Sequence, residues 1–259
     1  MSNISITAIP AFTDNYIWCL DNTTDAIIVD PGAAEPVINY LKDQSLNLSK
    51  ILVTHHHFDH IGGIADLKKV FPNAEVVGFK GAKIKDLETH VSEGDQFSAL
   101  GLEFSVLEVP GHTLDHIAYI TDLENTPRLF CGDTLFSAGC GRLFEGTPQQ
   151  MYQSLSKIKA LPANTLVYCA HEYTLANTAF AKSLMPKNSA LVKYDSACMD
   201  KRNDDLSTIP TVLSVEMNIN PFLRESDAEM IDNLQELGYK DLSKPEDVFA
   251  AARDAKDKA

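Results

Sequence analysis

The chain has 259 residues, of which 44% are hydrophobic, so it is long enough to bury a substantial core. Its formal net charge of -14 disfavours nucleic acid as a partner, because binding a polyanion requires a broad basic surface. No apolar run approaches the ~20 residues of a membrane span, and the N-terminus lacks the basic and apolar segments of a signal peptide. The five cysteines contain no Cys-x-x-Cys pair, which fits a reducing compartment. These features predict a cytoplasmic protein without a membrane or nucleic-acid partner.

Strands that alternate with turns and a few helices are predicted from residue 1 to about residue 170. Period-two alternation or short apolar runs bounded by turn residues predict strands at 27–29, 51–54, 75–79, 102–109, 128–131 and 165–170. One helix is predicted from Ala65 to Phe71, where Pro72 stops it. A second helix begins at the capping box of Thr147 and Gln150, with proline at its first position.

The character of the sequence changes after residue 171, where helical patterns replace strands. A second capping box is predicted at Ser226 and Glu229, in a helix that ends at Gly238, and a third at Ser243 and Glu246. This change predicts a domain boundary near residue 172.

Residues 55–60 are the segment with the clearest chemistry, because four histidines and one aspartate follow directly on an apolar run. If the preceding strand reaches this segment, alternation places His55 and His57 on one side, where they could share a cation. Asp59 and His60 come after the chain begins to turn and could serve a second cation about 3.5–4 Å away. The alternatives are a solvated polar loop and a structural zinc site.

Three later residues could complete two metal sites, and each follows a predicted strand and a small or turn-forming residue. They are His112, Asp133 and His171. Taken alone, each is as compatible with a turn or helix-cap residue as with a metal ligand. Their combination with residues 55–60 favours ligation.

The order of these residues resembles the ligand order of the metallo-β-lactamase superfamily from residue 55 to residue 171. The resemblance implies an α+β fold, namely a four-layer αββα metallo-β-lactamase sandwich with a C-terminal helical domain. It also implies two divalent metal ions per chain, with zinc as first choice and iron or manganese as further candidates. In the implied ligand set, one ion is held by His55, His57 and His112, the other by Asp59, His60 and His171, and Asp133 bridges them.

Further segments resemble one family of this superfamily, glyoxalase II, also called hydroxyacylglutathione hydrolase. The matching segments are 13–16, 139–147, 171–174, 220–224 and 253–257, so the resemblance covers almost the whole chain. It implies a metallo-β-lactamase-like catalytic domain over residues 1–172 and a helical substrate-binding domain over residues 173–259.

The resemblance implies a thioester hydrolase that acts on S-(2-hydroxyacyl)glutathione. Its substrate would be S-D-lactoylglutathione and its products glutathione and D-lactate, as in methylglyoxal detoxification. Asp59 and Asp133 are the implied catalytic carboxylates, and a metal-bridging hydroxide is the implied nucleophile. The enzyme is expected to be a monomer whose partner is the small glutathione thioester.

Positions that contact glutathione in the family are carried over one by one, and two of them depart from it. Phe144 stands where some members have tyrosine, and Arg142 stands where those members have lysine, so weaker or altered glutathione binding is expected. Asp115 stands where glycine is usual, which is expected to bend the backbone near His116 differently. The implied substrate-binding residues are Arg142, Phe144, Tyr173, Arg253 and Lys256.

Other activities of the same fold stay open as alternatives. They include a lactonase, a β-lactamase and an iron-dependent persulfide dioxygenase. A metal-stabilised binding module without catalytic activity is a further alternative, and it predicts closed metal coordination. Of the histidines outside the ligand set, His116 is expected beside the ligands and His90 on the surface.

Overall fold

A computed structural model describes residues 4 to 259. These residues form two compact units. The first comprises residues 4–108 and Asp115–Gly132, and the second comprises Val109–Leu114 and Asp133–Ala259. The domain boundary near residue 172 stays a prediction.

The first unit contains ten strands and three helices. A six-stranded sheet has the order β1-β2-β3-β4-β5-β6, antiparallel from β1 to β3 and parallel from β3 to β6. The strands β7 to β10 pair consecutively as antiparallel neighbours. The strands are β1 (Ser5–Ala11), β2 (Asn15–Asp21), β3 (Asp25–Val29), β4 (Asn47–Leu52), β5 (Glu75–Phe79), β6 (Thr89–Val91), β7 (Gln96–Ala99), β8 (Leu102–Glu108), β9 (Ile117–Leu123) and β10 (Thr126–Gly132). The helices are α1 (Ala34–Asp43), α2 (Phe58–Ile61) and α3 (Ile64–Val70).

Apolar side chains of the first sheet pack against α1 and α3 and form one core of this unit. Ile28 and Ile51, on the parallel neighbours β3 and β4, are fully buried in it together with Leu41 of α1. Tyr119 of β9 places its hydroxyl 2.9 Å from the Val53 carbonyl, so the second group of strands also contacts the first sheet. The carboxyl ends of β3 and β4 therefore lie side by side on a rigid support.

The second unit is mainly helical. Its helices are α4 (Pro148–Lys159), α5 (Thr174–Leu184), α6 (Ser189–Asn203), α7 (Leu213–Ile219), α8 (Ala228–Glu236) and α9 (Pro245–Asp257), with one 3₁₀ turn at Pro221–Leu223. Two short strands, β11 (Leu135–Phe136) and β12 (Gly139–Cys140), form a hairpin, and β13 (Leu166–Cys169) pairs with β14 (Thr211–Val212). The helical character predicted after residue 171 is confirmed.

Several predicted elements agree with the structure to within one or two residues. The strand at 75–79 and the helix at 65–71 correspond to β5 and α3. The capping box that begins α4 is confirmed, because Thr147 accepts from the Gln150 amide and the Gln150 side chain accepts from Thr147. Gly238 follows Leu237, the C-cap of α8, with a φ of 96°, as a left-handed helix stop requires.

Two predicted helix starts and one strand end are wrong by one or two residues. The cap of α8 is Asp227 instead of Ser226, and its carboxylate also pairs with Arg224. The cap of α9 is Lys244 instead of Ser243, because Pro245 at the first helical position holds the preceding residue in an extended conformation. The strand predicted at 51–54 ends at Leu52.

All five cysteines are buried free thiols. Within residues 4–259, no helix combines the length and the apolar character that a membrane crossing requires.

Replacing Thr147 with alanine tests the start of α4. The variant loses the side-chain acceptor of the first turn, so the free energy of unfolding should fall by about 1 kcal/mol. Denaturant unfolding followed by circular dichroism measures it. Ser156→Ala is the matched control, since it removes only a hydrogen bond to the Tyr152 carbonyl on the exposed side of the same helix. Equal stability of Thr147→Ala and the wild type would contradict the prediction.

Candidate metal centre

Asp30 lies at the carboxyl end of β3 and organises the first group of candidate ligands. Its Oδ1 accepts from the Thr54 amide at 2.8 Å, and its Oδ2 accepts from the Thr54 hydroxyl at 2.7 Å. The same Oδ2 lies 3.0 Å from Nδ1 of His60, and both side chains are buried. The ring of His60 therefore donates from Nδ1 and presents Nε2 as its basic nitrogen.

Thr54 fixes the ring of His55 in a similar way. Its hydroxyl has one proton, which it donates to Asp30, so it accepts from Nδ1 of His55 at 3.1 Å. This leaves Nε2 of His55 as the basic nitrogen. Buried imidazoles oriented in this way are typical of metal ligands, whose second nitrogen is held by a carboxylate, a carbonyl or a hydroxyl.

The remaining candidates of residues 55–60 lie beside this pair. His57 precedes α2, and its ring meets that of His55 edge-on with centroids 4.7 Å apart. The possible ligand atoms of His55 and His57 lie within 4.8 Å of one another. Asp59 places Oδ2 at 3.4 Å from Nε2 of His60, and Asn15 donates to that same oxygen at 3.0 Å. The structure thus brings the four predicted ligands of this segment together.

In the second unit, Asp133 lies between two histidines. Its Oδ2 is 3.4 Å from Nε2 of His112, and its Oδ1 is 3.2 Å from Nε2 of His171. All three side chains are buried. Nδ1 of His112 donates to the Arg142 carbonyl at 2.7 Å.

The chemistry of this donor set fits bound divalent cations. Because His112 donates from Nδ1, its Nε2 carries a lone pair, which faces a carboxylate oxygen of Asp133. Two such lone pairs repel unless a cation or a proton lies between them. Imidazole nitrogen with carboxylate oxygen suits zinc, iron and manganese.

Gly141 leaves room for the backbone of Asp133. A Cβ at position 141 would lie 1.9 Å from the Asp133 carbonyl oxygen and 3.2 Å from Nδ1 of His112. The amide of Gly141 also donates to the Thr134 carbonyl at 3.2 Å. A side chain at this position would therefore displace the candidate ligand.

Two of the three histidines outside the candidate ligand set, His116 and His90, lie where the sequence predicted. His116 is buried and stacks on His55 with ring centroids 4.5 Å apart, and His90 is exposed on β6. Asp115, at the position where glycine was expected, places Oδ1 at 2.9 Å from Nδ1 of His56. Asp115 is not among the described residues with positive φ, so this position does not require glycine.

Three predicted substrate-binding residues lie close to candidate ligands of their own unit. Tyr173 stacks on His171 with ring centroids 4.6 Å apart and remains 37% exposed. Phe144 meets the ring of His112 edge-on at 5.3 Å and is 63% exposed. The Arg142 side chain is also largely exposed and contacts Asp257. Each of these side chains thus retains surface that a small molecule can contact.

The other two basic residues are more enclosed. Arg253 is buried, donates to the Cys140 carbonyl at 2.9 Å and pairs with Asp257. Lys256 donates to the Asn177 side chain. Burial and, to a smaller extent, the nearby charge of Arg253 lower the pKa of Lys256 to about 8.

Asp30 and Asn15 both orient candidate ligands, although neither was predicted to have a role. Asn15 lies in one of the segments that carry the family resemblance, and Asp30 directly follows the strand predicted at 27–29. A carboxylate at the end of a strand, before Pro31, was the available signal. Its importance depends on Thr54, which lies 24 residues later at the end of the parallel neighbour β4.

Replacing Asp30 with asparagine tests this arrangement. The variant loses one of the acceptors shared by Thr54 and His60, so its affinity for zinc should fall by about 10- to 100-fold. Chelator competition on the folded protein measures the affinity. Asp21→Asn is the matched control, because Asp21 is also buried in the first unit but accepts from Ser5 and Thr23. Wild-type affinity in Asp30→Asn would contradict the assignment.

Comparisons with known proteins agree with this geometry. The profile of the metallo-β-lactamase superfamily matches residues 12–171, and that of the hydroxyacylglutathione hydrolase C-terminus matches residues 172–259. A hydroxyacylglutathione hydrolase of Vibrio campbellii is 49% identical over 98% of both chains. One of Pseudomonas aeruginosa strain LESB58 is 48% identical over 98% of this chain and 99% of its own length.

A solved structure, that of the BLEG-1 B3 metallo-β-lactamase, has a TM-score of 0.64 and 25% identity. It covers 85% of this chain and all of its own. The expected α+β metallo-β-lactamase fold with a C-terminal helical domain is confirmed, and the superfamily implies a dinuclear divalent metal site built from histidines and aspartates. The chain belongs to the hydroxyacylglutathione hydrolase family of the metallo-β-lactamase superfamily.

Proposed function

We propose that this chain hydrolyses S-(2-hydroxyacyl)glutathione thioesters, with S-D-lactoylglutathione as substrate and glutathione and D-lactate as products. The observation that carries the proposal is the buried Asp133 carboxylate, whose two oxygens each face an imidazole nitrogen. Relatives named hydroxyacylglutathione hydrolase, nearly half identical over the whole chain, support this substrate class. The reaction belongs to methylglyoxal detoxification.

The proposed ligand set has seven members and holds two divalent ions, with zinc as first choice. The orientation of His55, His60 and His112 through their Nδ1 atoms supports it, because each presents Nε2 for ligation. Iron and manganese suit the same donors. One ion would be held by His55, His57 and His112 and the other by Asp59, His60 and His171, and Asp133 would contribute a carboxylate to both.

The two ions would supply an ionised water as nucleophile near neutral pH. Asp59 and Asp133 are the proposed catalytic carboxylates, and Asn15 fixes the first of them by a hydrogen bond. Water adds to the thioester carbonyl, the carbon–sulfur bond breaks, and the electron pair leaves on sulfur. A thiolate is a good leaving group, so the chain needs no dedicated general acid for this step.

Glutathione binding is proposed for the two aromatic rings that pack on His112 and His171 and for three basic side chains of the second unit. Tyr173 and Phe144 offer exposed ring faces there, and Arg142 and Lys256 offer positive charge to the carboxylates of glutathione. Arg253 belongs to the proposed set as well. Phe144 lacks the hydroxyl of a tyrosine, so one polar contact to glutathione would be missing.

The proposed location is the cytoplasm, and the proposed form is a monomer. Five buried free cysteines support a reducing compartment. The alternatives, a lactonase or a persulfide dioxygenase, are disfavoured because the hydroxyacylglutathione hydrolase profile covers the helical C-terminal region.

Assays of purified zinc-loaded protein test the proposed reaction. The wild type should cleave S-D-lactoylglutathione, and His57→Ala should lower kcat/KM on the order of 10²-fold or more. His90→Ala is the matched control, since His90 lies exposed on β6. A simple lactone should be a poor substrate. The proposal would be wrong if the fully metallated wild type left the thioester intact but cleaved the lactone or consumed oxygen with glutathione persulfide.

The pH dependence of kcat/KM tests the role of Lys256. Its pKa of about 8 means that the ammonium charge is present below pH 8 and is lost as the pH rises through that value. The ratio of kcat/KM between the wild type and Lys256→Met should therefore decline above pH 8, because kcat/KM reports groups of the free enzyme. Lys258→Met is the control on the same helix, where the lysine is exposed and pairs with Asp254. A ratio independent of pH would refute this role.

A further inference from the structure

The hairpin of β11 and β12 lies in the chain between Asp133 and Arg142, and it is buried throughout. Each of its strands has only two residues, and its turn places Ala138 in the left-handed region with a φ of 54°. So short a ladder leaves buried carbonyl and amide groups that need other partners. The fold must therefore supply these partners from outside the hairpin.

Side chains from the helical C-terminal region supply them. Nδ2 of Asn220 lies 3.1 Å from the Phe136 carbonyl and 3.0 Å from the Gly139 carbonyl. Glu216 accepts from the amide of Ala138 at 2.8 Å. Two further donors reach the hairpin, namely Asn177 to the Ser137 carbonyl at 2.9 Å and Arg253 to the Cys140 carbonyl at 2.9 Å.

Glu216 and Asn220 are the connected part of this set. The Glu216 carboxylate is fully buried and also accepts from the Thr211 hydroxyl at 2.7 Å and from Nδ2 of Asn220 at 3.0 Å. Its partners at these distances are donors, so an ionised carboxylate is satisfied at both oxygens. Burial raises the pKa of Glu216, and the hydrogen bonds from Thr211 and Ala138 oppose that rise.

The position of the hairpin determines the position of two groups in the candidate metal centre. Asp133 lies two residues before it, and Gly141, which follows it directly, donates to the Thr134 carbonyl. The next carbonyl, that of Arg142, accepts from Nδ1 of His112 at 2.7 Å. A shift of the hairpin would therefore move a candidate ligand and the acceptor that orients another.

We infer that Glu216 and Asn220 are positioning residues for the metal centre, which they serve by holding the β11–β12 hairpin in place. Within residues 4–259, the hydrogen bonds given above for their side chains join them to the hairpin, to each other and to Thr211, so they act through the backbone of residues 134–142. The inference rests on the proposed function in that Asp133 and His112 are taken as metal ligands.

Replacing Asn220 with aspartate tests the inference, because it exchanges an amide donor for an acceptor beside two carbonyls and Glu216. Zinc affinity, measured by chelator competition on the folded protein, should fall about tenfold or more. Amide hydrogen exchange of residues 134–142 should become at least about tenfold faster, since each lost 1.4 kcal/mol of local stability is a factor of ten. If this variant does not fold, Asn220→Ser removes the amide without adding charge. Its zinc affinity and amide exchange are then compared with those of the wild type.

Glu216→Gln is the conservative variant. Its amide oxygen can accept from Ala138, and its amide nitrogen can donate to the Thr211 hydroxyl oxygen, so affinity and exchange should stay near wild type. Glu216→Ala should behave like Asn220→Asp. A merely destabilising change would not give this difference between the two variants.

Asn233→Ala is the matched control, because Asn233 of α8 donates to the Leu184 carbonyl at 2.9 Å away from the hairpin. It should lower the stability of the fold and leave zinc affinity and exchange of residues 134–142 unchanged. Wild-type zinc affinity in Asn220→Asp, or equal loss in Asn233→Ala, would overturn the inference. Failure of thioester cleavage by a zinc-loaded wild type would overturn the proposed function alone, since both measurements here are independent of substrate.

Discussion

The candidate metal centre depends on hydrogen bonds in which a buried imidazole donates from Nδ1 to a fixed acceptor. His60 donates to Asp30, His55 donates to Thr54, and His112 donates to the Arg142 carbonyl. Each bond fixes the orientation of the ring and leaves Nε2 as the basic nitrogen. The surrounding fold can therefore be understood by how it places these acceptors.

Different physical means place the acceptors in the two units. Asp30 and Thr54 lie at the adjacent ends of parallel strands, so a regular ladder and an apolar core hold them. The Arg142 carbonyl follows the β11–β12 hairpin, which is too short to be stable through its own hydrogen bonds. The buried Glu216 carboxylate stabilises this hairpin by accepting from the Ala138 amide. A buried carboxylate is costly, but it is tolerated where both oxygens accept hydrogen bonds, and it then specifies one backbone position.

The sequence was sufficient where a residue's role depends on near neighbours. The clustering of the candidate ligands in residues 55–60 and the capping box at Thr147 are local patterns, and the family resemblance added the more distant candidates. It was insufficient for Asp30 and Glu216, whose partners lie 24 and 78 residues away and become neighbours only in the folded chain. The predicted start of α8 was also wrong, because Ser226 and Asp227 are both good N-caps and the ion pair with Arg224 favours Asp227.

The charges of the second unit limit how the carboxylates of the proposed glutathione substrate could bind. Asp257 Oδ1 accepts from Arg253 at 2.9 Å and from Arg142 at 3.1 Å, so both guanidinium groups already have an anionic partner. A substrate carboxylate at Arg142 must displace Asp257 or add a second negative charge. Lys256 is the nearby group that can offset this charge, and its lowered pKa means that it does so only below about pH 8. Affinity for glutathione should therefore depend on Lys256 more than on buried Arg253, whose guanidinium already lies over the ring of Phe222.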